Sequence, residues 1–298
     1  MRLKDTIDLI ILAVVWGASF LFMRVAGPEF GPFALVEVRV AIAGLFLLPF
    51  LLLRSGLAEL AANWKALVLL GTLSSALPFV LLVYSTLHIT GGFASILNAT
   101  SPLWAALIAW VWLADRMTVS QVAGLVLGFI GVYILVWDEM SFALIDGVTL
   151  AILAALLSSV CYGAAANYTK RYVWRVNPLV LAVGSQLGAA IVLLPGAVLT
   201  WPEAPISSIA WLSVIAMGIV STGLAYILYF RLIASAGPAK AITVTYLVPV
   251  FAMLWGALFI NETVSLTMAV GCAVILVGTA LATGIIKLWR LTPPTIKD

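Results

Sequence analysis

The sequence contains very few charged residues. Asp, Glu, Lys and Arg together make up 9% of its 298 residues, whereas about a quarter of an ordinary soluble domain is charged. Apolar residues account for 64% of the chain, and the mean hydropathy is +1.20. So little polar sequence leaves almost no polar shell for a soluble core and no room for a separate soluble domain. The composition therefore predicts a polytopic membrane protein.

The sequence also lacks the groups on which most catalytic sites depend. It has one histidine, His88, and two cysteines, Cys161 and Cys272, which lie in apolar runs and are typical of thiols packed between membrane helices. No glycine-rich loop ending in Lys-Ser or Lys-Thr is present, and no His-Glu-x-x-His motif. We therefore expect no enzyme activity, ATP hydrolysis, cofactor or metal site. The net charge of +3 gives no indication of nucleic acid, and His88 is expected to be a surface or capping residue.

Ten apolar runs are long enough to cross a bilayer, at about 20 residues for each span. Backbone polar groups cannot stay unpaired in hydrocarbon, and alternating strand patterns are absent, so the spans are predicted to be α-helices. The first run follows Arg2 and Lys4 and therefore resembles a secretory signal, but it is long enough to span the membrane. It is expected to stay in the protein as helix 1. The predicted helices 1 to 10 cover residues 7–25, 32–53, 66–87, 91–113, 119–137, 147–168, 178–199, 208–232, 240–260 and 265–286.

The placement of basic residues predicts the orientation of these spans. With the N-terminus on the cytoplasmic side, every lysine and arginine except Arg24 and Arg39 falls at that side, whereas the opposite loops hold acids and no lysine. Such an asymmetry is the signature of correctly counted membrane spans. Both termini are therefore predicted to be cytoplasmic, in a multi-pass protein of the cell inner membrane.

The chain contains an internal repeat. An offset of 146 residues pairs Gly17 with Gly163 and Pro32 with Pro178, and an offset of 147 pairs Pro102 with Pro249. Further pairs at 147 are Gly71 with Gly218, Ser74 with Ser221, Gly124 with Gly271 and Gly131 with Gly278. The predicted repeats are residues 1–140 and 141–298. Because five helices are an odd number, the second repeat must be inverted, an arrangement that suits transport by alternating access.

The motifs resemble those of a known family. Trp16-Gly17-Ala18-Ser19-Phe20, followed by Pro32 and Arg39, is similar to the start of the EamA-type repeat of the ten-helix drug/metabolite transporter superfamily. The run from Gly91 to Pro102 with Asp115 after it, and Pro249 with Glu262, also resembles this family. The resemblance implies a metabolite exporter, most like the YddG-type exporters of aromatic and neutral amino acids. The second repeat departs from the start motif, with Tyr162 in place of Trp16 and Ser185 in place of Arg39.

Helices 4 and 9 are the best candidates for a substrate site. Pro102 and Pro249 cannot donate to the carbonyls of Asn98 and Thr245, so each proline should kink its helix and free an acceptor. Kinks at membrane depth in matching helices of two repeats are typical of transporter sites. We predict that substrate contacts Ser95, Asn98, Thr245 and Tyr246. Packing kinks, with Asn98 bonded to a neighbouring helix, remain an alternative.

Helix 8 adds a stripe of hydroxyl groups. Thr222, Tyr226 and Tyr229 share one helix face, and Tyr226 lies too deep for an interfacial aromatic belt. Ser75 and Phe79 occupy matching positions in helix 3, with Tyr84 nearer its outer end. By repeat symmetry, helix 1 and helix 6 complete the predicted wall with Trp16, Ser19, Tyr162 and Asn167. Ordinary helix packing is the alternative for these aromatic residues.

Two charged residues lie inside helix 2. A charge at the bilayer centre costs about 2.5–3.5 kcal/mol on insertion scales, so we expect Glu37 and Arg39 to pair or to extend toward the outer face, in structural or gating roles. Arg24 is a candidate partner for Glu37, and contact with substrate is the alternative. Helices 5 and 10 carry spaced glycines and few polar residues, which suggests scaffold helices or a homodimer contact.

The function predicted from these features is secondary transport of a small molecule across the lipid bilayer. A wall of neutral hydrogen-bonding groups and aromatic rings favours small neutral or zwitterionic amino acids, aromatic ones included. Efflux of lipophilic cations is the alternative, but it would need a carboxylate deep in the membrane, and helix 1 has none. A channel is less favoured because the polar residues are scattered hydroxyls rather than a filter.

Overall fold

The computed structural model describes residues 2–137, 147–237 and 241–286, and these residues form helices and connecting turns without a β-strand. The boundary predicted between the repeats, at residues 140 and 141, and the first residue of the span 240–260 lie outside the described residues. Helices 1 and 2 together form Leu3–Leu52, and a short helix Leu57–Ala62 follows. Helix 3 comprises Trp64–Gly71, a π-helical segment Thr72–Ala76 and Leu77–His88. Helix 4 comprises Gly91–Asn98 and Ser101–Leu113, and helix 5 is Val119–Val136.

The second half of the chain has the same series of elements. Helix 6 is Gly147–Tyr172 and helix 7 is Pro178–Leu199. Helix 8 comprises Ser208–Ala216, a π-helical segment Met217–Leu224 and Ala225–Ala236. Helix 9 is Val244–Ile260 and helix 10 is Leu266–Ala282. Within the described residues, seven helices are long and apolar enough to cross a membrane, the first of them contains two predicted spans, and helices 9 and 10 are shorter apolar helices. The prediction of ten membrane helices is confirmed.

Helices 1 and 2 are not separated by a loop, in contrast to the predicted gap between residues 25 and 32. Only Gly31 departs from helical geometry, with φ 71° and ψ 165°, and prolines occupy positions 28 and 32. A positive φ is accessible to glycine without a steric penalty. One glycine next to a proline therefore changes the direction of the chain and replaces a connecting loop.

The two prolines predicted to kink helices 4 and 9 act differently. Helix 4 is interrupted at residues 99–100, and Pro102 is the second residue of the segment that follows. Helix 9 continues through Pro249 from Val244 to Ile260. The carbonyl of Asn98 is not free, because the Ser101 hydroxyl donates to it at 2.6 Å. The prediction of an open acceptor at Asn98 was therefore wrong, since a nearby serine fills the position that the proline vacates.

Inverted symmetry is visible where helices of one repeat cross those of the other. A Cβ atom added to Gly17 would lie 2.7 Å from the Phe251 Cβ, and one added to Gly163 would lie 2.7 Å from the Ala105 backbone nitrogen. The crossing of helix 1 with helix 9 is therefore equivalent, by the repeat symmetry, to the crossing of helix 6 with helix 4. Both crossings need glycine because the backbones approach so closely. The glycine pairing seen in the sequence thus corresponds to one contact that is made twice.

Helices 3 and 8 carry π-helical segments at matching positions. Adding the repeat offset of 147 to Thr72–Ala76 gives residues 219–223, which lie inside Met217–Leu224. A π-helical turn accommodates one extra residue and is frequent at functional sites. The sequence analysis did not predict these segments. They contain Ser74, Ser221 and Thr222, which line the cavity described below.

The glycines of helices 5 and 10 face each other within one chain. A Cβ atom on Gly278 would lie 2.4 Å from the Gly128 nitrogen, and one on Gly124 would lie 2.4 Å from the Ala282 nitrogen. These small residues are therefore used by an internal contact between the last helices of the two repeats. A homodimer through helices 5 and 10 stays a prediction, but it would have to use their outward faces rather than these glycines.

Candidate substrate cavity

A cavity of about 330 Å³ lies between the two repeats. Its size falls at the lower end of the range of about 300–1,000 Å³ that is usual for ligand pockets. Nine residues predicted for the site or its gating line it: Trp16, Arg39, Ser95, Asn98, Pro102, Tyr162, Thr222, Tyr226 and Thr245. Ser19, Phe79 and Tyr229, which were placed in the wall, also line it, together with Ser74, Ser101 and Ser221 from helices 3, 4 and 8.

Five of the predicted site and gating residues are not part of this lining. The Asn167 amide donates at 2.9 Å to the carbonyl of Ala105 on helix 4 and at 2.9 Å to that of Gly163 on its own helix. Tyr246 shares a hydrogen bond of 2.9 Å with Thr283 at the end of helix 10. Both polar groups are therefore used to join helices. In these two residues, polarity inside the membrane indicates packing rather than contact with the cavity.

The other three residues have different surroundings. The Tyr84 ring packs near the outer end of helix 3 against the exposed His88, with their ring centroids 5.0 Å apart. Pro249 is buried inside helix 9. Glu37 has a buried carboxylate oxygen without a hydrogen-bond partner among the described residues. The sequence analysis named Arg24 as a candidate partner for Glu37. This was wrong, because Arg24 binds Glu262 instead.

Of the residues that the structure describes, Arg39 is the one charged side chain in the cavity lining. It is only 4% exposed and does not extend toward the outer face as expected. Its Nε donates to the Thr222 hydroxyl at 3.1 Å, and its guanidinium carbon lies 3.9 Å from the centre of the Phe79 ring. Among the described residues, no carboxylate lies within ion-pair distance of Arg39. An arginine stays protonated in proteins, so the cavity contains a permanent positive charge that no carboxylate of the described residues pairs with.

Three buried polar atoms in the lining have no partner within the described part of the chain. They are Nη1 of Arg39, Oδ1 of Asn98 and Oγ of Ser19. Leaving such groups without hydrogen bonds inside a protein costs free energy. Because one is a cationic donor and the others can accept, the cavity offers hydrogen bonds to both a negative and a positive group of a small ligand.

Aromatic rings form much of the remaining wall. Trp16 and Tyr229 pack with centroids 5.4 Å apart, and Phe79 and Tyr162 pack with centroids 6.5 Å apart. Trp16 and Tyr162 occupy matching positions in the two repeats, so each repeat contributes one such aromatic residue. Rings of this kind bind apolar or aromatic parts of a ligand by area and by stacking.

An ion pair joins the two repeats at the outer end of the molecule. Here "outer" denotes the face opposite the N-terminus. Arg24 at the end of helix 1 donates to Glu262 after helix 9 at 2.9 Å and to the carbonyl of Thr86 at 2.6 Å. The Glu262 carboxylate also accepts the N–H of Gly91 at 3.0 Å, and its side chain is only 8% exposed. We call these four residues the outer latch.

A second ion pair occupies the equivalent position at the inner end. The offsets of 146 and 147 relate Arg24 to Lys170 and Glu262 to Asp115. Lys170 donates to Asp115 at 2.8 Å, but the two side chains are 64% and 51% exposed. We call this contact the inner pair. The repeat symmetry thus relates these two ion pairs at opposite ends of the molecule, and their burial is very different.

A further contact at the outer face joins the turn between helices 1 and 2 to the start of helix 8. The Glu29 carboxylate accepts the backbone N–H of Ser207 at 2.6 Å and its hydroxyl at 2.7 Å. These two hydrogen bonds hold the pKa of Glu29 below its usual value. The carboxylate is therefore charged at neutral pH, and it fixes the beginning of helix 8.

Comparison with known sequences identifies the family. Residues 7–137 and 149–284 each match the sequence model of the EamA-like transporter family. The chain belongs to this family. It is a multi-pass membrane transporter and not an enzyme.

Similar proteins cover this EamA-like transporter over nearly its whole length. The uncharacterized transporter YvbV of Bacillus subtilis (strain 168) is 24% identical over 288 residues, which cover 94% of this chain and 92% of that protein. An uncharacterized transporter of Archaeoglobus fulgidus is 25% identical over 283 residues, which cover 93% and 97%. A probable terminal-alkyne amino-acid exporter of Streptantibioticus cattleyicolor is 24% identical over 285 residues, which cover 94% of each chain.

A solved crystal structure has the same fold. It aligns with this EamA-like transporter at a TM-score of 0.67, with 21% sequence identity, and the alignment covers 96% of this chain and 98% of the other. At that identity the likeness concerns the fold alone. The all-helical arrangement of two inverted five-helix repeats is therefore shared with a known structure.

The sequence analysis of this EamA-like transporter missed two features of the structure. The inner pair and the outer latch were not predicted, although the repeat offsets relate Arg24 to Lys170 and Glu262 to Asp115. Ser74 and Ser221 were used only to align the repeats, yet both line the cavity next to the π-helical segments. A π-helical turn leaves no clear mark in a single apolar sequence, so the second feature had no usable signal.

Proposed function

We propose that this protein exports small amino acids, aromatic ones included, from the cytoplasm across the inner membrane by alternating access. The observation that carries the proposal is the set of unpartnered polar atoms in the cavity, on Arg39, Asn98 and Ser19. A zwitterion carries one group for the cationic donor and one for the acceptors. The rings of Trp16, Tyr162, Tyr226 and Tyr229 suit an apolar or aromatic side chain.

One relative supports this substrate class. The protein of Streptantibioticus cattleyicolor is named as a probable amino-acid exporter, and it is similar to this chain over 94% of its length. Identity of 24% leaves room for a different side chain on the substrate. The proposal therefore concerns the amino-acid backbone and does not extend to an alkyne.

The two ion pairs support the transport cycle. The outer latch is largely buried and joins helices 1, 3 and 4 of the first repeat to the end of helix 9. The inner pair is exposed and consists of one contact. We propose that this is the state closed to the outside, and that the opposite state opens the outer latch and buries the inner pair. Inverted repeats that rock about a central site produce such an exchange.

The alternative of lipophilic cation efflux is disfavoured by Arg39. A cation entering the cavity would approach a permanent positive charge that has no carboxylate beside it among the described residues. Repulsion between like charges is strong where water is excluded. A channel is disfavoured because the polar groups of the cavity lining are scattered hydroxyls rather than a ring or filter.

The test is uptake into proteoliposomes that contain only this protein. The panel should include neutral and aromatic amino acids, nucleosides, sugars and quaternary cations. Saturable uptake of amino acids, competed by other amino acids, is the expected result. Uptake of quaternary cations without uptake of amino acids would overturn the proposal.

Asn98→Ala and Tyr226→Ala should each lose most amino-acid transport, while both variants still fold and insert. Asn98 offers an unpartnered amide oxygen to the cavity, and Tyr226 forms part of its wall. The matched controls are Asn63→Ala and Tyr133→Ala, which change the same residue types away from the cavity. Normal transport by both cavity variants would remove helices 4 and 8 from the site, whereas loss of folded protein would favour a packing role.

A further inference from the structure

Arg39 is a position where a charged side chain of the cavity lining has no charged counterpart in the other repeat. The matching residue of the second repeat is Ser185, whose hydroxyl donates to the Ala182 carbonyl at 3.1 Å and which does not line the cavity. Within the described part of the chain, the cavity lining therefore carries charge on the helix 2 side alone. A ligand with two different ends would be held in one orientation by such an asymmetric wall.

The surroundings of Arg39 hold the guanidinium in place without neutralising it. Thr222 accepts from Nε, and the Phe79 ring covers one face of the group. Nη1 remains without a partner. Taking a charge out of water without a counter-ion costs free energy. An anion bound beside Arg39 would offset part of that cost. A fixed guanidinium fork is well matched to the two oxygens of a carboxylate.

We propose that Arg39 binds the carboxylate of the transported substrate and thereby selects carboxylates over amines and cations. This inference rests on the proposed function for the nature of the remaining ligand. It assigns to Arg39 a substrate-binding role rather than the structural or gating role that the sequence suggested. The Asn98 oxygen and the Ser19 hydroxyl then remain for the ammonium group.

The experiment measures binding to the purified protein by ligand-induced thermal stabilisation. The probes are L-phenylalanine, L-phenylalaninamide, which lacks the carboxylate, 3-phenylpropionate, which lacks the ammonium group, and tetraphenylphosphonium. Wild-type protein should bind phenylalanine at least about 10-fold more tightly than the amide, because hydrogen bonds to charged groups contribute roughly that factor or more. Tetraphenylphosphonium should not bind.

Arg39→Gln should weaken phenylalanine and phenylpropionate binding by roughly 10- to 100-fold and leave binding of the amide nearly unchanged. Arg39→Lys should retain part of the preference, since lysine supplies the charge without the fork. The matched control is Arg54→Gln, at the exposed inner end of helix 2, which should bind all probes like the wild type.

Arg39→Gln should also melt at or above the wild-type temperature in the absence of ligand, because it removes an uncompensated buried charge. A lower melting temperature, with an unchanged ratio of phenylalanine to amide affinity, would indicate a structural role and overturn the inference. Equal binding of phenylalanine and its amide by wild-type protein would overturn it as well, while leaving amino-acid export intact.

Other outcomes separate this inference from the proposed function. Binding of phenylpropionate that depends on Arg39, without binding of any amino acid, would support the carboxylate site and overturn amino-acid export. Binding of tetraphenylphosphonium without binding of carboxylates would overturn both.

Discussion

The outer latch and the inner pair occupy equivalent positions in the two repeats, yet they are built very differently. In the latch, Glu262 is 8% and Arg24 is 30% exposed, and two backbone groups add hydrogen bonds. In the inner pair both side chains are more than half exposed and bind each other directly. Buried charged hydrogen bonds contribute far more than exposed ion pairs. Inverted symmetry thus relates the positions of the two ion pairs, and burial makes the outer one the stronger.

One difference in sequence between the repeats accounts for part of this difference in structure. Gly91 donates its N–H to Glu262 in the latch, and the residue at the 147 offset from Gly91 is Pro238. A proline has no backbone N–H to donate. Asp115 therefore cannot receive the equivalent backbone hydrogen bond when the transporter closes at its inner end. We expect the state closed to the outside to be the more stable state in the absence of substrate.

Among these variants, Glu262→Gln should have the largest effect on access to the cavity from the outside. The change removes the charge that binds Arg24, and charged hydrogen bonds contribute about 1.5–3 kcal/mol. Access from the outside should rise by roughly 10- to 100-fold as a consequence. It is measured as the rate at which a membrane-impermeant maleimide, added to intact cells, labels a Ser74→Cys variant that also carries Cys161→Ala and Cys272→Ala.

The matched control for this measurement is Glu203→Gln, an exposed acidic residue of the same face, which should leave the labelling rate unchanged. An unchanged rate in the Glu262→Gln protein would show that the latch does not determine outer access, and the comparison of the two ends would then have no functional meaning.

An intermediate effect is expected from exchanging the charges of the latch. In the double variant Arg24→Glu/Glu262→Arg the ion pair can form again, but the Gly91 N–H then faces a cation and the Thr86 carbonyl faces a carboxylate. Outer labelling of the Ser74→Cys reporter should therefore stay clearly above that of the unmodified latch. Full return to the unmodified rate would mean that the ion pair alone, without the backbone contacts, holds the outer end closed.

The smallest effect should come from Asp115→Asn in the inner pair. An exposed ion pair contributes about 0–1 kcal/mol, so labelling of the same reporter in inside-out vesicles should change by less than about fivefold. A salt concentration of about 1 M should have a similarly small effect on the unmodified inner pair, since salt screens exposed charges. A change as large as that from Glu262→Gln would show that burial does not distinguish the two ends.

Most of the fold was predictable because the bilayer limits the choices. Apolar runs in a membrane must be helices, and basic residues mark the side on which they end. Details that depend on single backbone turns were not predictable. The junction of helices 1 and 2 at Gly31, the interruption of helix 4 before Pro102 and the π-helical segments all depend on neighbouring helices.

The candidate site was predictable where depth and residue type pointed the same way. Asn98 and Tyr226 are polar, lie deep in their helices and line the cavity. Asn167 has the same qualities but bonds to helix 4, since a lone sequence does not indicate which face of a helix meets a neighbour. For Arg39, the sequence analysis expected a side chain that pairs or extends toward the outer face, because charges tend to avoid the membrane interior. The side chain lines the cavity instead, and the cavity takes the place of lipid around it.

The matching π-helical segments of helices 3 and 8 also bear on the history of the chain. Each segment contains one residue more than an α-helix of the same length would need. The two extra residues fall at the same register, so the repeats align through this region without a gap. An ancestral five-helix unit that already carried the extra residue, later duplicated and fused, explains both segments by one insertion event rather than two.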